Sequence, residues 1–245
     1  MAKTGLGAPL VHSASVGESI WLNDLPVQAN PNYVIYFNDF FTATDLDLTN
    51  EWNDQLGASV TCAITTDGFL GTATIATPAT DNVGAWLGLI QENFQSTIGK
   101  HWWFSARLRV ANAADCDVFV GLSEAVAAAP TAAVADAIHR VGFEINEGSA
   151  NLIVKTSNGT ASTVAPLLRT TTITSDTFVK LDIHWNGRNA YEFFVNNNLV
   201  AVVNTTSNVP TATDVLAPSF MYVNGAATAQ ANAMIIDYVL VAAER

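Results

Sequence analysis

Apolar and polar residues alternate with a period of two along most of the chain after residue 32. The pattern is clearest in residues 179–206, where VKLDIHW is interrupted by NGRN, resumes in AYEFFVN, stops at NN and continues in LVAVVNTT. Successive side chains of a β-strand point to opposite faces, so this alternation predicts strands that are buried on one face. The stretch therefore predicts three short antiparallel strands joined by two tight turns.

The rest of the chain after residue 32 carries similar short apolar or alternating segments with turn signals between them. The segments predicted to be strands are 33–41, 59–65, 71–77, 84–91, 101–110, 116–123, 140–146, 151–157, 219–225 and 233–243. Turns are predicted at Asp67–Gly68 and at SNGT, residues 157–160, where an Asn-Gly pair suits a tight hairpin. About a dozen regularly spaced strands with almost no helical periodicity predict an all-β fold, and at this length a two-sheet antiparallel jelly-roll sandwich.

Strand parity predicts which side chains face the core. The residues predicted to point inward from two of the strands are Trp102, Phe104, Ala106, Leu108, Val110, Val179, Leu181, Ile183 and Trp185. Those predicted to point outward are Trp103, Ser105, Arg107, Arg109, Lys180, Asp182 and His184. His184 is accordingly expected to be a surface residue, and Trp103 to be exposed or to lie against a second subunit.

Two segments depart from the alternating pattern. Residues 124–140, EAVAAAPTAAVADAIHR, predict a surface loop with at most one helical turn, because Pro130 interrupts them. Residues 1–32 contain three prolines and three glycines, which exclude a helix or a central strand there. We therefore expect an extended N-terminal arm, residues 1–32, followed by a sandwich domain, residues 33–245.

An irregular arm is ordered only where a surface holds it, either its own domain or a neighbouring subunit. Trp21 is the natural anchor, and the isolated apolar residues around it share this role. The residues predicted to contact a partner are Leu10, Val11, Ile20, Trp21, Leu22, Leu25 and Trp103.

Charge is scarce and mostly negative. Charged residues make up 13% of the chain, against about 25% in ordinary globular domains. This favours a surface that other subunits cover, although a monomer coated with Thr and Asn remains an alternative. The formal net charge of −12 makes nucleic acid and anionic membranes poor partners.

The sequence predicts neither a targeting segment nor a cysteine motif that would indicate a function. No run of ~20 apolar residues predicts a membrane span, and the first residues lack the apolar core of a signal peptide. Cys62 and Cys116 belong to no metal-binding motif, so two buried thiols are expected, and the sequence leaves open whether they pair.

No catalytic constellation is apparent in the sequence. A retaining glucanase needs carboxylates at alternate strand positions, about 5–5.5 Å apart, as in an ExDxE arrangement. Glu144 and Glu147 are three residues apart, so they are expected to be two solvated acids on opposite faces. We predict no enzymatic activity and no catalytic residues.

Metal and histidine sites are not predicted either. The pairs Asp45/Asp47 and Asp115/Asp117 each share a face if they lie on strands, but calcium takes six to eight oxygen ligands. The four histidines, His12, His101, His139 and His184, have no metal-binding or catalytic spacing. No cofactor or metal is therefore expected.

Several motifs resemble known families. The hairpin IHWNG–YEFFVNNNLV resembles one that recurs in concanavalin A-like jelly rolls of the lectin and glucanase type. The segments DVFVGLSE (117–124), HRVGFEINEGSANLIVKTSNG (139–159), DTFVKLDIHWNG (176–187) and MIIDYVLVAAER (234–245) resemble bacteriophage virion proteins of this fold, which coat or extend the shell.

This resemblance implies a capsid decoration (cement) protein on the virion surface, assembled in the host cytoplasm. Its partners would be the major capsid protein or other virion subunits. A homo-oligomer is implied as well, with a trimer favoured because it suits the threefold positions of an icosahedral lattice. The alternatives are a glycan- or receptor-binding module of a fibre or tail and, ranked lower, a major coat subunit.

Overall fold

The computed structural model describes residues 33–40, 45–66, 71–132, 137–205, 208–225 and 232–245. These residues form fifteen β-strands. In chain order the strands are β1 (Tyr33–Asn38), β2 (Trp52–Leu56), β3 (Thr61–Thr66), β4 (Gly71–Thr77), β5 (Val83–Leu89), β6 (Trp102–Val110), β7 (Cys116–Ser123), β8 (His139–Ile145), β9 (Ile153–Asn158), β10 (Ser162–Ala165), β11 (Val179–Trp185), β12 (Ala190–Val195), β13 (Asn198–Asn204), β14 (Ala217–Asn224) and β15 (Asn232–Glu244). The all-β prediction is confirmed.

The strands form two antiparallel sheets. The eight-stranded sheet has the order β13-β12-β11-β6-β15-β4-β3, and β1 pairs with the second half of β15. The seven-stranded sheet has the order β10-β9-β8-β7-β14-β5-β2. Strands distant in sequence are neighbours in both sheets, which produces the sandwich predicted from the alternating pattern.

Large apolar side chains fill the space between the sheets, as the strand parity predicted. Trp102, Trp185, Tyr191 and Phe193 from the eight-stranded sheet are buried there, as are Phe143 and Phe220 from the other sheet. Phe143 meets Phe193 edge to face, with ring centroids 5.4 Å apart. The inward and outward residues of β6 and β11 fall on the predicted faces.

The turns predicted at NGRN, at NN and at SNGT are present in the structure. Asn196 and Asn197, between β12 and β13, have φ angles of 47° and 66°, in the left-handed region that asparagine tolerates better than most residues. Between β11 and β12, the side-chain oxygen of Asn186 accepts hydrogen bonds from the backbone N–H groups of the next residues in the turn. Gly159, with φ 76°, closes the turn between β9 and β10.

Strands β2 and β10 were missed by the sequence analysis. Strand β2 is WNDQL, in which three consecutive polar residues hide the alternation, and β10 has four residues. The Asp67–Gly68 turn and the arm, residues 1–32 with Leu10, Val11, Ile20, Trp21, Leu22 and Leu25, lie outside the described residues. The boundary between arm and sandwich therefore stays a prediction, although β1 begins at Tyr33.

Cys62 and Cys116 are both free thiols. Cys62 lies in β3 and Cys116 in β7, so they belong to different sheets. Burial, with a smaller contribution from nearby carboxylates, raises the pKa of each thiol to about 12. Within the part of the chain that the structure describes, no helix has the length and apolarity needed to cross a membrane.

Candidate binding surfaces

The outer face of the seven-stranded sheet carries an apolar cluster. Trp86, Phe119, Met221 and Val223 pack together there and are buried. Trp86 lies over Gly88 and Phe119 lies over Gly142, so each ring occupies the space that a side chain would fill. The glycines thus let two aromatic rings lie flat against the strands.

The alanine-rich segment crosses this cluster. Val126 and Ile138 pack against it, and a cavity of about 470 Å³ is lined by residues 125–132 together with Trp86, Ile138 and Met221. The carboxylates of Glu92 and Glu124 accept hydrogen bonds from the N–H groups of Ala125 and His139. The described part of the segment, residues 124–132, is a surface loop, as predicted, and it packs over the sheet where Trp86 and Met221 offer it an apolar surface.

The solvent exposure of Glu144 differs from the prediction. It was expected to be solvated, but it is buried on the outer face of β8. Its Oε1 lies 3.0 Å from Nε of Arg140 and its Oε2 lies 3.6 Å from Nζ of Lys155. Burial is tolerated because both carboxylate oxygens face cations. Glu147 is exposed, as expected.

Carboxylates in the described strands do not form the glucanase arrangement. The outward positions of β8 are Arg140, Gly142 and Glu144, and none of the described strands carries three carboxylates at alternate positions. Alternate carboxylates on one strand are the geometry that retaining hydrolysis of a glycoside needs.

The acid pairs that were considered for calcium accept hydrogen bonds from groups of the chain itself. Asp47 lies in a turn, not a strand, and its Oδ1 accepts the N–H groups of Thr49 and Asn50. These bonds, with one from the Asn50 side chain as the largest cause, lower the pKa of Asp47. Asp115 accepts a hydrogen bond from the Asn112 side chain, and Asp117 from the backbone N–H of Glu147. In the described ranges, no three His, Cys, Asp or Glu side chains are placed to hold a metal ion.

The outer face of the eight-stranded sheet presents two parallel rows of side chains, each six strands wide. The first row is Val202, Glu192, His184, Trp103, Ala242 and Ile35. The second row is Leu199, Phe194, Asp182, Ser105, Leu240 and Phe37. We call these twelve residues the two-row face. Strands lie ~4.8 Å apart, so the face extends roughly 24 Å across the sheet.

Apolar side chains at both ends of the two-row face are exposed. The exposed fractions are 37% for Ile35, 55% for Phe37, 40% for Leu199 and 44% for Val202. The sequence analysis missed these four residues. The signal was present, because YVIYFN in β1 and LVAVVN in β13 carry apolar residues at both odd and even positions, so one set had to point outward.

Trp103 occupies the middle of the first row. Its ring is stacked on His184, with centroids 5.2 Å apart and an interplanar angle of 3°, and it contacts Tyr33 from β1. Only 8% of Trp103 is exposed, because side chains of its own chain cover it. Its predicted role as a partner contact stays a prediction.

His184 joins a chain of polar contacts across three segments. Its Nδ1 lies 3.0 Å from Oε2 of Glu192, and its Nε2 lies 3.1 Å from Nδ1 of His101. His184 lies on the outward face of β11, as predicted, but its neighbours cover it so that only 13% of its side chain is exposed. The contact between His101 and His184 could not be read from sequence spacing, because the pairing of β6 with β11 creates it.

The cations of this face are neutralised locally. Arg107 donates to Asp237 at 2.6 Å, and Lys180 lies 3.4 Å from the buried Asp182. Arg107 and Arg109 both lie over the ring of Phe178. Arg107 and Lys180 are therefore each compensated by a nearby carboxylate.

No family model and no curated protein sequence matches the chain. Solved structures do match. An endo-1,3-beta-glucanase from Streptomyces sioyaensis has a TM-score of 0.61 at 15% identity, covering 87% of this chain and 97% of its own. A protein of unknown function from Shewanella oneidensis MR-1 has a TM-score of 0.58 at 14% identity, with coverages of 86% and 87%. The carbohydrate recognition domain of Emp47p has a TM-score of 0.57 at 11% identity, with coverages of 87% and 95%.

At these identities the similarity concerns the fold alone. The neighbours include both glucanases and a carbohydrate recognition domain, so the fold hosts enzymes and binding modules. The chain has the two-sheet, concanavalin A-like jelly-roll fold that its hairpin motif predicted.

Proposed function

We propose that this protein is a non-enzymatic structural protein of a bacteriophage virion, a decoration protein that binds the outer shell and stabilises it. It binds through the two-row face and the N-terminal arm. The observation that carries the proposal is the exposure of Ile35, Phe37, Leu199 and Val202 on one face of a sheet.

The two-row face suits contact with another protein. Exposed apolar groups that lie together, flanked by polar ones, mark interaction surfaces in soluble proteins. Here they lie at the ends of rows whose middle part is largely buried by the chain's own side chains, which leaves Ile35, Phe37, Leu199 and Val202 as the apolar anchors of the face. A flat face of this kind fits a broad protein surface better than a small ligand.

Three further features support assembly on a shell. The chain has few charges, as a covered surface would. Its motifs resemble phage virion proteins. The exposed strand β1 directly follows the arm, so both would meet the same partner. Weak contacts repeated over a symmetric oligomer on a multivalent shell give tight overall binding.

Hydrolysis of glycans is less well supported. Glu144 is neutralised by Arg140 and Lys155, and none of the described strands carries three carboxylates at alternate positions. An acid–base pair needs carboxylates with different environments that flank an open cleft.

The test is binding of the purified protein to particles that lack it. A double variant, Ile35→Ser with Phe37→Ser, removes two exposed anchors, and we expect its affinity to fall at least about tenfold. The matched control, Val164→Ser with Leu168→Ser, alters two exposed apolar residues outside the two-row face and should bind like the wild type. Equal binding of both variants, with unchanged melting temperatures, would contradict the proposed face.

A further inference from the structure

A second cavity lies at one end of the sandwich and is independent of the two-row face. Its volume is about 350 Å³. Its lining comes from the connection after β5, the end of β9, the β11–β12 turn and the connection after β13. The lining residues are Ser96, Ile98, Asn158, Trp185, Arg188, Thr205, Val209, Pro210, Thr211 and Ala212.

The floor of this end cavity is a fixed hydrogen-bonded network. The buried Ser96 accepts hydrogen bonds from the hydroxyl of Tyr191 at 2.6 Å and from Nε1 of Trp102 at 3.3 Å. Nε1 of Trp185 donates to the carbonyl of Thr97 at 3.1 Å. Burial raises the pKa of Tyr191, so its hydroxyl stays protonated at neutral pH. The Tyr191 hydroxyl also lies 3.4 Å from the carbonyl oxygen of Pro210, so the network connects the floor of the cavity to its wall.

The lining of the end cavity includes one cation, Arg188. Arg188 is exposed and forms no ion pair with any described residue, and none of the described lining residues is Asp or Glu. Lys100 lies next to the same turn, because Gly99 donates to the carbonyl of Gly187 at 2.6 Å. One carboxylate, Asp214, lies beside the lining, where it accepts hydrogen bonds from the N–H and hydroxyl groups of Thr211 and lies 3.3 Å from Nε2 of His139. The lining itself carries a cation and no carboxylate, in a chain with 22 acids and 10 bases.

The remaining lining groups suit a hydroxylated ring. Thr205, Thr211 and Asn158 place hydroxyl and amide groups around the opening, while Ile98, Val209 and Pro210 provide an apolar wall. The Thr211 hydroxyl donates to Asp214 and can accept from a ligand, and Oδ1 of Asn158 accepts two backbone N–H groups, which leaves its Nδ2 to donate. A volume near the lower end of the ~300–1,000 Å³ range of ligand sites fits one sugar ring rather than a chain of them. One arginine favours a single carboxylate over a polyphosphate.

We propose that the end cavity binds a monosaccharide that carries a carboxylate, of the sialic acid or hexuronic acid type. Arg188 pairs with the carboxylate, the hydroxyl and amide groups bind the ring hydroxyls, and Ile98, Val209 and Pro210 contact the C–H face of the ring. The protein then has two contacts, one with its own assembly and one with an acidic glycan terminus.

The experiment is titration of the full-length protein with N-acetylneuraminic acid and glucuronic acid, and with glucose and N-acetylglucosamine as neutral counterparts. Binding is followed by ligand-observed NMR. We expect millimolar affinity for at least one acidic sugar and at least about tenfold weaker binding of its neutral counterpart, since hydrogen bonds to a charged group are the stronger ones. Glycans ending in the sugar that binds, tested in parallel, distinguish a glycan terminus from a free monosaccharide.

The variant Arg188→Gln keeps the length of the side chain and removes its charge. We expect it to weaken binding of the acidic sugar about tenfold or more, whereas Arg169→Gln, which removes an exposed charge outside the lining, should have no effect. No binding of either acidic sugar to the wild type up to about 20 mM would overturn the inference. So would unchanged binding in Arg188→Gln. The Ile35→Ser/Phe37→Ser variant should retain sugar binding, so failure here is distinct from failure of the decoration role.

Discussion

At the scale of single residues, Arg140 and Glu144 form an ion pair that is almost completely excluded from water. Removing one partner of a buried pair leaves the other charge without compensation. We expect Arg140→Met to lower the free energy of unfolding by about 3–5 kcal/mol, measured by urea denaturation. Arg169→Met, at an exposed position, should change it by less than about 0.5 kcal/mol. A loss as small as that of the control would mean that Glu144 is satisfied without Arg140.

Glu192 makes stability depend on pH. The hydrogen bond from His184 is the largest cause that lowers the pKa of Glu192 from its ordinary value of 4.5. A carboxyl group whose pKa is lower in the folded state stabilises the fold above its unfolded pKa, and this contribution is lost as pH falls through the folded pKa.

We therefore expect Glu192→Gln to lower the melting temperature at pH 7 by about 1–3 °C, because the contact is partly exposed. The difference from the wild type should shrink as the pH falls below about 4.5. Asp81→Asn, at an exposed position, serves as the control. A difference that persists unchanged at pH 3 would contradict the account.

The sequence predicted correctly which face of a strand a residue lies on, because that depends only on the alternation of side chains along the strand. Trp102 and Trp185 were placed in the core because alternate residues share a face. Strand parity does not indicate what covers an outward residue, so Glu144 was expected to be solvated although it is buried. Arg140 and Glu144 are four residues apart on one face of β8, but their almost complete burial is not evident from the local pattern.

At the scale of elements, β7 and β8 meet through paired glycines. Gly121 lies opposite Gly142, and a methyl group at Gly142 would approach Cε2 of Phe119 at 2.5 Å and the carbonyl oxygen of Val120 at 2.7 Å. We expect Gly142→Ala to lower the free energy of unfolding by about 1–3 kcal/mol through overpacking, measured by urea denaturation. Thr160→Ala, at an exposed turn position, should have little effect. A Gly142→Ala variant as stable as the wild type would show that Phe119 moves freely.

Strand boundaries were largely predictable because alternation and turn residues are local signals. Strands β4, β7 and β11 begin and end where the sequence predicted. The order of the strands within the sheets depends on contacts between distant residues. The two-row face arises only from that order, so four of its exposed residues could not be assembled into a surface beforehand.

At the scale of the whole molecule, the arm and the sandwich are expected to be separable. The core between the sheets is built from residues 40–241, so deleting residues 1–32 should leave a folded protein with a cooperative thermal transition. Its attachment to particles should be lost, because the anchors around Trp21 are removed. Full occupancy of particles by the truncated protein would refute the role of the arm.

The central claim is that this sandwich is a subunit of a virion shell, and its abundance on purified particles tests the claim most directly. Particles are banded on a density gradient, and the ratio of this protein to the major capsid protein is measured by quantitative mass spectrometry. The account predicts co-sedimentation at a fixed stoichiometry set by the symmetry of the shell, with threefold positions favoured. Absence from the particle band, or only a few copies per particle as in a fibre or tail, would contradict it.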